Sequence, residues 1–304
     1  MSELTIRRIG YALGAEVTGV DLRRPLDAKT VQAIRQASLE HLLLCFPGQN
    51  LTQEQMVAFA GLMGEVDDNA TVKHRDPQNP YVTMISSKAF TGKPWETFKN
   101  GENWHTDRSF KVAPTSYTLL NAKELPPVGG NTLFANQYMA YEALSPRFRS
   151  LVDDLSAIHL QTRKAAAMMA VQFPTVLHPL ARIHPETNRR ALYLGEHVRG
   201  FLGMTEEESA PILAFLSAHA TRAEFCYRHV WNVNDLVMWD NRCLMHVAVR
   251  DYDHRPGSHP RHLWKASIQG EPTGRLYEEV VGHKYELELI ERPSGTPIPV
   301  RATA

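Results

Sequence analysis

The chain has 304 residues, 43% hydrophobic and 22% charged, with 33 basic against 33 acidic side chains and a formal net charge of zero. That is enough material for one large or two ordinary globular domains, and the charge balance excludes the basic excess of a nucleic-acid footprint. Three cysteines, Cys45, Cys226 and Cys243, with no Cys-x-x-Cys spacing, argue against a disulfide framework and a structural thiolate zinc site.

Taken in order, residues 4–9 and 16–20 read as two short strands split by Gly10 and Gly14. Asp27 caps a helix through about His41, and the apolar run 42–46, ended by Pro47-Gly48, reads as a buried strand. Thr52 with Gln55 makes a capping box for a helix closed by Gly64. Residues 65–80 are a polar loop containing His74, 81–86 a strand, and 87–102 a long loop of the functional kind. Strands are expected at 104–110 and 115–122, then a turn at Pro126–Gly130 and helices at 136–144 and 146–155. Residues 164–170 read as helix, and 180–184 and 191–194 as short strands. Thr205 with Glu208 opens a helix to about His219, and strands follow at 224–231, 235–239, 244–249 and 262–269.

Strands concentrated in the middle and at the end argue for a β-sandwich or barrel-like core with helices outside. The simplest layout is a single domain over 1–304 with a helical insertion near 136–220. The N-terminus lacks the apolar run of a signal peptide, and run 42–46 is too short to cross a bilayer. A soluble, cytoplasmic protein with reduced thiols and no membrane contact is expected.

The chemistry concentrates in Asn103-Trp104-His105-Thr106-Asp107-Arg108-Ser109-Phe110. On a strand, His105 and Asp107 share a face, and a third ligand would complete the 2-His-1-carboxylate triad of non-haem Fe(II) oxygenases. Alone, a His-x-Asp pair occurs in many chains as a surface strand. A second polar residue, His246, sits in an apolar strand after Trp239-Asp240-Asn241-Arg242. Its burial asks for a partner, either a backbone carbonyl or water, or a metal shared with His105 and Asp107. Further on, Arg261 and Lys265 share one strand face and either meet anions or lie on an edge facing water.

These blocks resemble the Fe(II)/2-oxoglutarate-dependent dioxygenases of the taurine dioxygenase and 2,4-dichlorophenoxyacetate dioxygenase (TauD/TfdA) family. The likeness runs from Gly14-Ala15-Glu16-Val17-Thr18-Gly19-Val20-Asp21-Leu22 through Asn103–Asp107, Glu124–Thr132, the Trp239–Arg242 turn and the His246…Arg261 spacing to about Gly270. It covers roughly nine-tenths of the chain. The resemblance implies a mainly β fold with α, a double-stranded β-helix (jelly roll) core with surrounding helices. It implies His105, Asp107 and His246 as iron ligands, Thr132 and Arg261 as the clamp for the distal carboxylate of 2-oxoglutarate, and O2 as the third reactant. Lys265 stands where relatives carry an arginine for the substrate's acidic group. His74 lies near a substrate-binding histidine of the taurine enzyme, and Gly101 near a substrate-contacting asparagine. Arg108 is a candidate for added charge at the pocket mouth, against a solvent-facing strand position.

The expected reaction is hydroxylation of a C–H bond in a small anionic substrate, aryloxyalkanoate-like carboxylate or organosulfonate or sulfate, with release of succinate and CO2. Asp107 favours hydroxylation, since related halogenases lack that carboxylate. The assembly is expected to be a homo-oligomer, dimer or tetramer. Residues 271–304, with alternation at 285–289 and three prolines, read as a C-terminal extension packed on a neighbouring subunit or covering a sheet edge. Two rivals stand beside this reading. One is a catalytically silent metal-binding jelly roll acting as a ligand sensor. The other is a zinc hydrolase using His254, His259 and His262.

Overall fold

The computed structural model describes residues 4–69, 72, 76, 78–87, 101–169, 171–253, 258–283 and 285. In chain order these form β1 (Thr5–Arg8), β2 (Ala15–Thr18), α1 (Ala28–His41), β3 (Leu43–Phe46), α2 (Gln53–Met63), β4 (Thr83–Ser86) and β5 (Thr115–Glu124). There follow β6 (Thr132–Asn136), α3 (Gln137–Glu142), α4 (Pro146–Asp154), β7 (Ser156–His159), α5 (Arg163–Met168), β8 (Val176–Pro179) and β9 (Ala181–Ile183). Next come β10 (Arg190–Leu192), β11 (Val198–Phe201), α6 (Glu206–Ala220), β12 (Cys226–His229), β13 (Leu236–Asp240) and β14 (Leu244–Ala248). The described part closes with β15 (His262–Gln269), β16 (Arg275–Leu276) and α7 (Tyr277–Val281).

Seven strands make the larger sheet, in the order β1-β2-β3-β13-β5-β15-β4, antiparallel except for the β2–β3 pair. Strand periodicity divides its side chains between two cores. Leu44, Phe46, Leu119 and Met238 face α1 and α2, packing with Ile34, Met56 and Phe59. Leu43, Cys45, Leu120, Val237 and Trp239 face the other way and meet Phe134, Trp231 and Leu244 around a three-stranded sheet, β12-β6-β14. The two sheets therefore close on one another over an apolar layer, with the Phe134 and Trp239 rings edge to face at 5.3 Å.

Except for α7, the described α-helices begin where side-chain acceptors satisfy their first N–H groups. Asp27 accepts from the Thr30 amide, and Thr52/Gln55 and Thr205/Glu208 form capping boxes, as the sequence signals. The segment 136–220 is not purely helical. Besides α3 to α6 it holds β7 to β11: β7, β8 and β11 join the C-terminal β16 in a four-stranded sheet, β11-β7-β8-β16, and β9 and β10 form a hairpin. Of the C-terminal segment, β16 pairs with β8, while the strand expected at 285–289 lies, but for Tyr285, outside the described residues. Among the described residues no helix is long and apolar enough to cross a membrane.

Candidate active site

The stretch 104–110 is not a strand. His105 makes a single antiparallel bridge with His246, exchanging N–H···O bonds of 3.0 and 2.9 Å, and the chain then turns over 107–110. Arg108 has φ 54°, a left-handed conformation that an extended strand cannot contain. The turn, not strand alternation, brings Asp107 beneath His105. His246 itself lies in β14 as its sequence suggests, and the bridge brings the two imidazoles to a centroid distance of 4.1 Å.

The ligating atoms of His105, Asp107 and His246 all lie within 4.8 Å of one another. His105 Nδ1 lies 2.8 Å from the Asn103 carbonyl. With the proton there, Nε2 presents its lone pair towards Asp107 Oδ1, 3.8 Å away. His246 is buried against the Trp239 and Phe134 rings, and its Nδ1 has no hydrogen-bond partner among the described residues. Two imidazoles, one carboxylate and an orphaned ring nitrogen fit a divalent iron-type metal.

Asp107 is held from both sides. Thr118 Oγ1 donates to Oδ2 at 2.6 Å and Lys265 Nζ donates to Oδ1 at 2.8 Å. Thr118 in turn accepts from Asn241 Nδ2 at 2.9 Å, and Asn241 Oδ1 accepts from Trp239 Nε1 and the Asp107 amide. Burial pushes the Asp107 carboxyl up, but the Lys265 ammonium beside it outweighs burial and holds it well below the usual carboxylate range. Burial, with His105 adding to it, keeps His246 neutral, the form that binds metal.

Thr132 opens β6, and its hydroxyl oxygen accepts from Trp231 Nε1 at 3.1 Å, leaving its own O–H free to donate. Arg261 precedes β15 and is buried. Its Nε donates to the Gly130 carbonyl at 2.8 Å, and burial lowers its guanidinium, with Tyr252 and Asp251 opposing. The extra residue of the bulge near His262 falls in β5, so Arg261 and Lys265 keep the same side of their strand. His105, Asp107, His246, Thr132, Arg261 and Lys265 all line one cavity of about 130 Å³. Apolar walls come from Ile85, Phe110, Leu120 and Met169.

Arg108 also lines this cavity, but it is buried, which corrects the solvent-facing strand reading. Its guanidinium is already paired with Asp67 and donates to Asn69 Oδ1 at 2.6 Å, so little charge remains for a ligand. Gly101 has φ 72°, and a Cβ there would lie 3.3 Å from His105 Cε1, so the missing side chain leaves room beside the ligand. His74 and His254 lie outside the described residues. His259 lines a separate surface pocket with Pro127 and Tyr252, and His262 starts β15. Neither belongs to a ligand cluster among the described residues. Sequence reasoning gave no role to Thr118 or to the Asn241 side chain. The available signal was a polar side chain in an otherwise apolar strand.

Residues 5–267 match the family described as taurine catabolism dioxygenase TauD, TfdA family. The chain is 32% identical to the alpha-ketoglutarate-dependent sulfate ester dioxygenase of Pseudomonas putida, covering 90% of this chain and 92% of that protein. It is 35% identical to the alpha-ketoglutarate-dependent 2,4-dichlorophenoxyacetate dioxygenase of Cupriavidus pinatubonensis, covering 80% and 90%. Among solved structures, AAD-2 in complex with Mn(II) and N-oxalylglycine superimposes with a TM-score of 0.78 at 32% identity, over 89% of this chain and 98% of that one. The chain belongs to the TauD/TfdA family of Fe(II)- and 2-oxoglutarate-dependent dioxygenases.

Proposed function

We propose that the enzyme hydroxylates a C–H bond of a small anionic organic molecule, an aryloxyalkanoate-like carboxylate or an organosulfate or organosulfonate. The observation that carries this reading is the convergence of three ligating side chains, a buried guanidinium and an ammonium on one cavity. In this reading the two facing sheets are a double-stranded β-helix within a single dioxygenase domain, and the protein is cytoplasmic.

His105, Asp107 and His246 hold the iron. Arg261 and the free O–H of Thr132 take the distal carboxylate of 2-oxoglutarate, a guanidinium and a hydroxyl against an anion. When bound, Fe(II) and 2-oxoglutarate supply the oxidising chemistry, consuming O2 and releasing succinate and CO2. Lys265 keeps one N–H on Asp107 and turns its two further donors to the substrate's anionic group, so the neighbouring C–H lies near the metal position. A lysine offers a point charge where an arginine offers a planar fork, so tetrahedral sulfate and sulfonate groups suit it at least as well as a carboxylate. Phe110, Leu120 and Met169 keep water out and accept an apolar substrate body. The relatives named for sulfate esters and for 2,4-dichlorophenoxyacetate support this substrate class. Hydroxylation of a carbon bearing an aryloxy oxygen or a sulfonate sulfur gives a product that collapses to release a phenol or sulfite.

The test is succinate formation dependent on Fe(II), O2 and 2-oxoglutarate across such a panel, with phenol and sulfite measured in parallel. No turnover on any member, together with no 2-oxoglutarate binding, would sink the reading. His246→Ala is expected to abolish iron retention.

A further inference from the structure

We propose that Cys45, His229 and Asp235 form a second metal site, separate from the catalytic one, for a thiophilic divalent cation of the zinc class. The three residues come from different elements: Cys45 from β3 of the larger sheet, His229 from the end of β12 in the smaller sheet, and Asp235 from the turn before β13. They are far apart in sequence, so no ligand spacing announces them. All three are buried, at 5%, 3% and 2% exposure. Their sulfur, nitrogen and oxygen atoms lie within 4.8 Å of one another, and His229 Nε2 is 3.7 Å from Asp235 Oδ2. That separation is too long for a hydrogen bond. It is a few tenths of an ångström wider than the roughly 3.3–3.5 Å between a nitrogen and an oxygen donor of a tetrahedral site with bonds of about 2.0–2.2 Å, a gap that a bound ion would close.

An independent observation points the same way. The Tyr227 hydroxyl engages His229 Nδ1 at 3.3 Å, while Nε2, on the side of the thiol and carboxylate, is buried without a hydrogen-bond partner among the described residues. A ring nitrogen hydrogen-bonded from behind, with its other nitrogen free, is how a histidine ligand is held in tautomer and orientation for a metal. Burial keeps the ring neutral, with its pKa lowered to about 4. Burial, Asp235 and Glu16 push the Cys45 thiol up, and burial also raises the Asp235 carboxyl, with Glu16 adding to it. A cation among them would reverse both shifts.

The cluster His184, Asp240 and Cys243 has the same donor types within 4.8 Å of one another, but its His184 Nε2 and Asp240 Oδ2 are hydrogen-bonded at 3.0 Å, and the contrast is informative. There Arg242 already supplies the cation, donating from Nε to Asp240 Oδ1 at 2.8 Å and from Nη2 to Oδ2 at 2.6 Å. Asp235 has no Lys or Arg ion-pair partner among the described residues. Its Oδ2 accepts from the Asn232 amide at 2.9 Å and side chain at 3.3 Å, which shapes the turn, and a carboxylate retains further lone pairs.

Asp235 precedes β13, while Asn241, beside the catalytic cluster, follows its far end, so the two sites are distinct. A bound ion would cross-link the two sheets through Cys45 and His229. It would also steady the Trp231 ring, which packs edge-on at 4.6 Å against His229 and donates to Thr132.

Co(II) titration of the metal-free full chain tests this. Two equivalents are expected in the wild type and one in His246→Ala. The retained ion should show thiolate-to-cobalt charge-transfer absorption, lost in Cys45→Ser and kept in Cys226→Ser. His105, Asp107 and His246 contain no sulfur, so the wild-type spectrum is decisive even if a variant fails to fold. A single equivalent without thiolate absorption, or thiolate absorption that survives Cys45→Ser, overturns the proposal. Neither result depends on turnover, so the catalytic reading stands or falls separately.

Discussion

At the scale of single residues, the unusual feature is how completely Asp107 is held, by the neutral Thr118 and Asn241 side chains on one oxygen and the Lys265 ammonium on the other. The chain Asn241 Nδ2 to Thr118 Oγ1 to Asp107 Oδ2 is buried and runs in one direction, fixing the carboxylate plane. Thr118→Val removes the last donor at nearly constant volume. Outer-shell losses of this kind weaken metal binding about 10–100-fold. The Mn(II) dissociation constant should rise by that order and recover in Thr118→Ser; an unchanged constant would leave the relay without a role. Lys265→Ala is expected to raise KM for the anionic substrate while KM for 2-oxoglutarate stays near wild type. Parallel rises in both would remove the division of labour between Lys265 and Arg261. His246 stood out in the sequence as a polar residue in an apolar run, whereas His105, Asp107 and Arg261 became firm candidates only through the order of blocks shared with the family. Thr118 did not stand out, because a threonine in a strand is ordinary β-propensity until its partner is known.

At the scale of elements, the site depends on close backbone approach more than on regular structure. The expected strand at 104–110 fails because Arg108 adopts a left-handed conformation, which no alternation pattern encodes. Strands β7, β8 and β11 were also missed. They are four residues each, and runs such as Ser-Ala-Ile-His carry too little periodicity to register. By contrast the capped helices and β13 were readable, since side-chain caps and continuous apolar runs are local signals. Gly195 shows what the sequence hides. It has φ 126°, and a Cβ there would lie 2.9 Å from His105 Cα and 3.2 Å from the Trp104 carbonyl. His105 is tied into the bridge with His246 and the Trp104 carbonyl accepts from the Glu196 amide, so neither can move aside cheaply. Gly195→Ala should therefore destabilise the fold by about 1–3 kcal/mol in urea titrations. It should also weaken metal binding, because the displaced atoms carry the ligand. Full stability with normal metal affinity would show that the 194–197 turn yields instead.

At the scale of the whole molecule, the fourteen histidines carry a consequence that their number alone does not reveal. Several are neutral core groups. Burial lowers the pKa of His178 to about 4 and of His197 to about 3, keeps His159 well below its ordinary value, and sets His229 at about 4. Nearby Arg182 adds to the effect at His178 and His159. His159 and His178 stand behind the active-site turn, where His159 Nδ1 meets Ser109 Oγ at 3.1 Å. In the unfolded chain the same rings titrate near 6.5. Between about pH 6.5 and 4 the unfolded state therefore binds more protons than the folded one, and stability must fall as pH falls. Above about pH 7 both states hold these rings neutral and their contribution is flat. Asp107 and Asp240, held low by ion pairs, lose their contribution only as pH drops through and below the ordinary carboxylate range, so they do not account for a decline that begins near 6.5. Each depressed pKa unit is worth about 1.4 kcal/mol, so several such rings acting together should dominate the acid limb. Urea unfolding of the metal-free protein, with chelator present to exclude ligand displacement, should show this decline between pH 7 and 4.5. His178→Gln should shallow its slope even if it lowers stability at neutral pH. A flat profile over that range would mean that these side chains find water on protonation, and that the core around the 107–110 turn is looser than its packing implies.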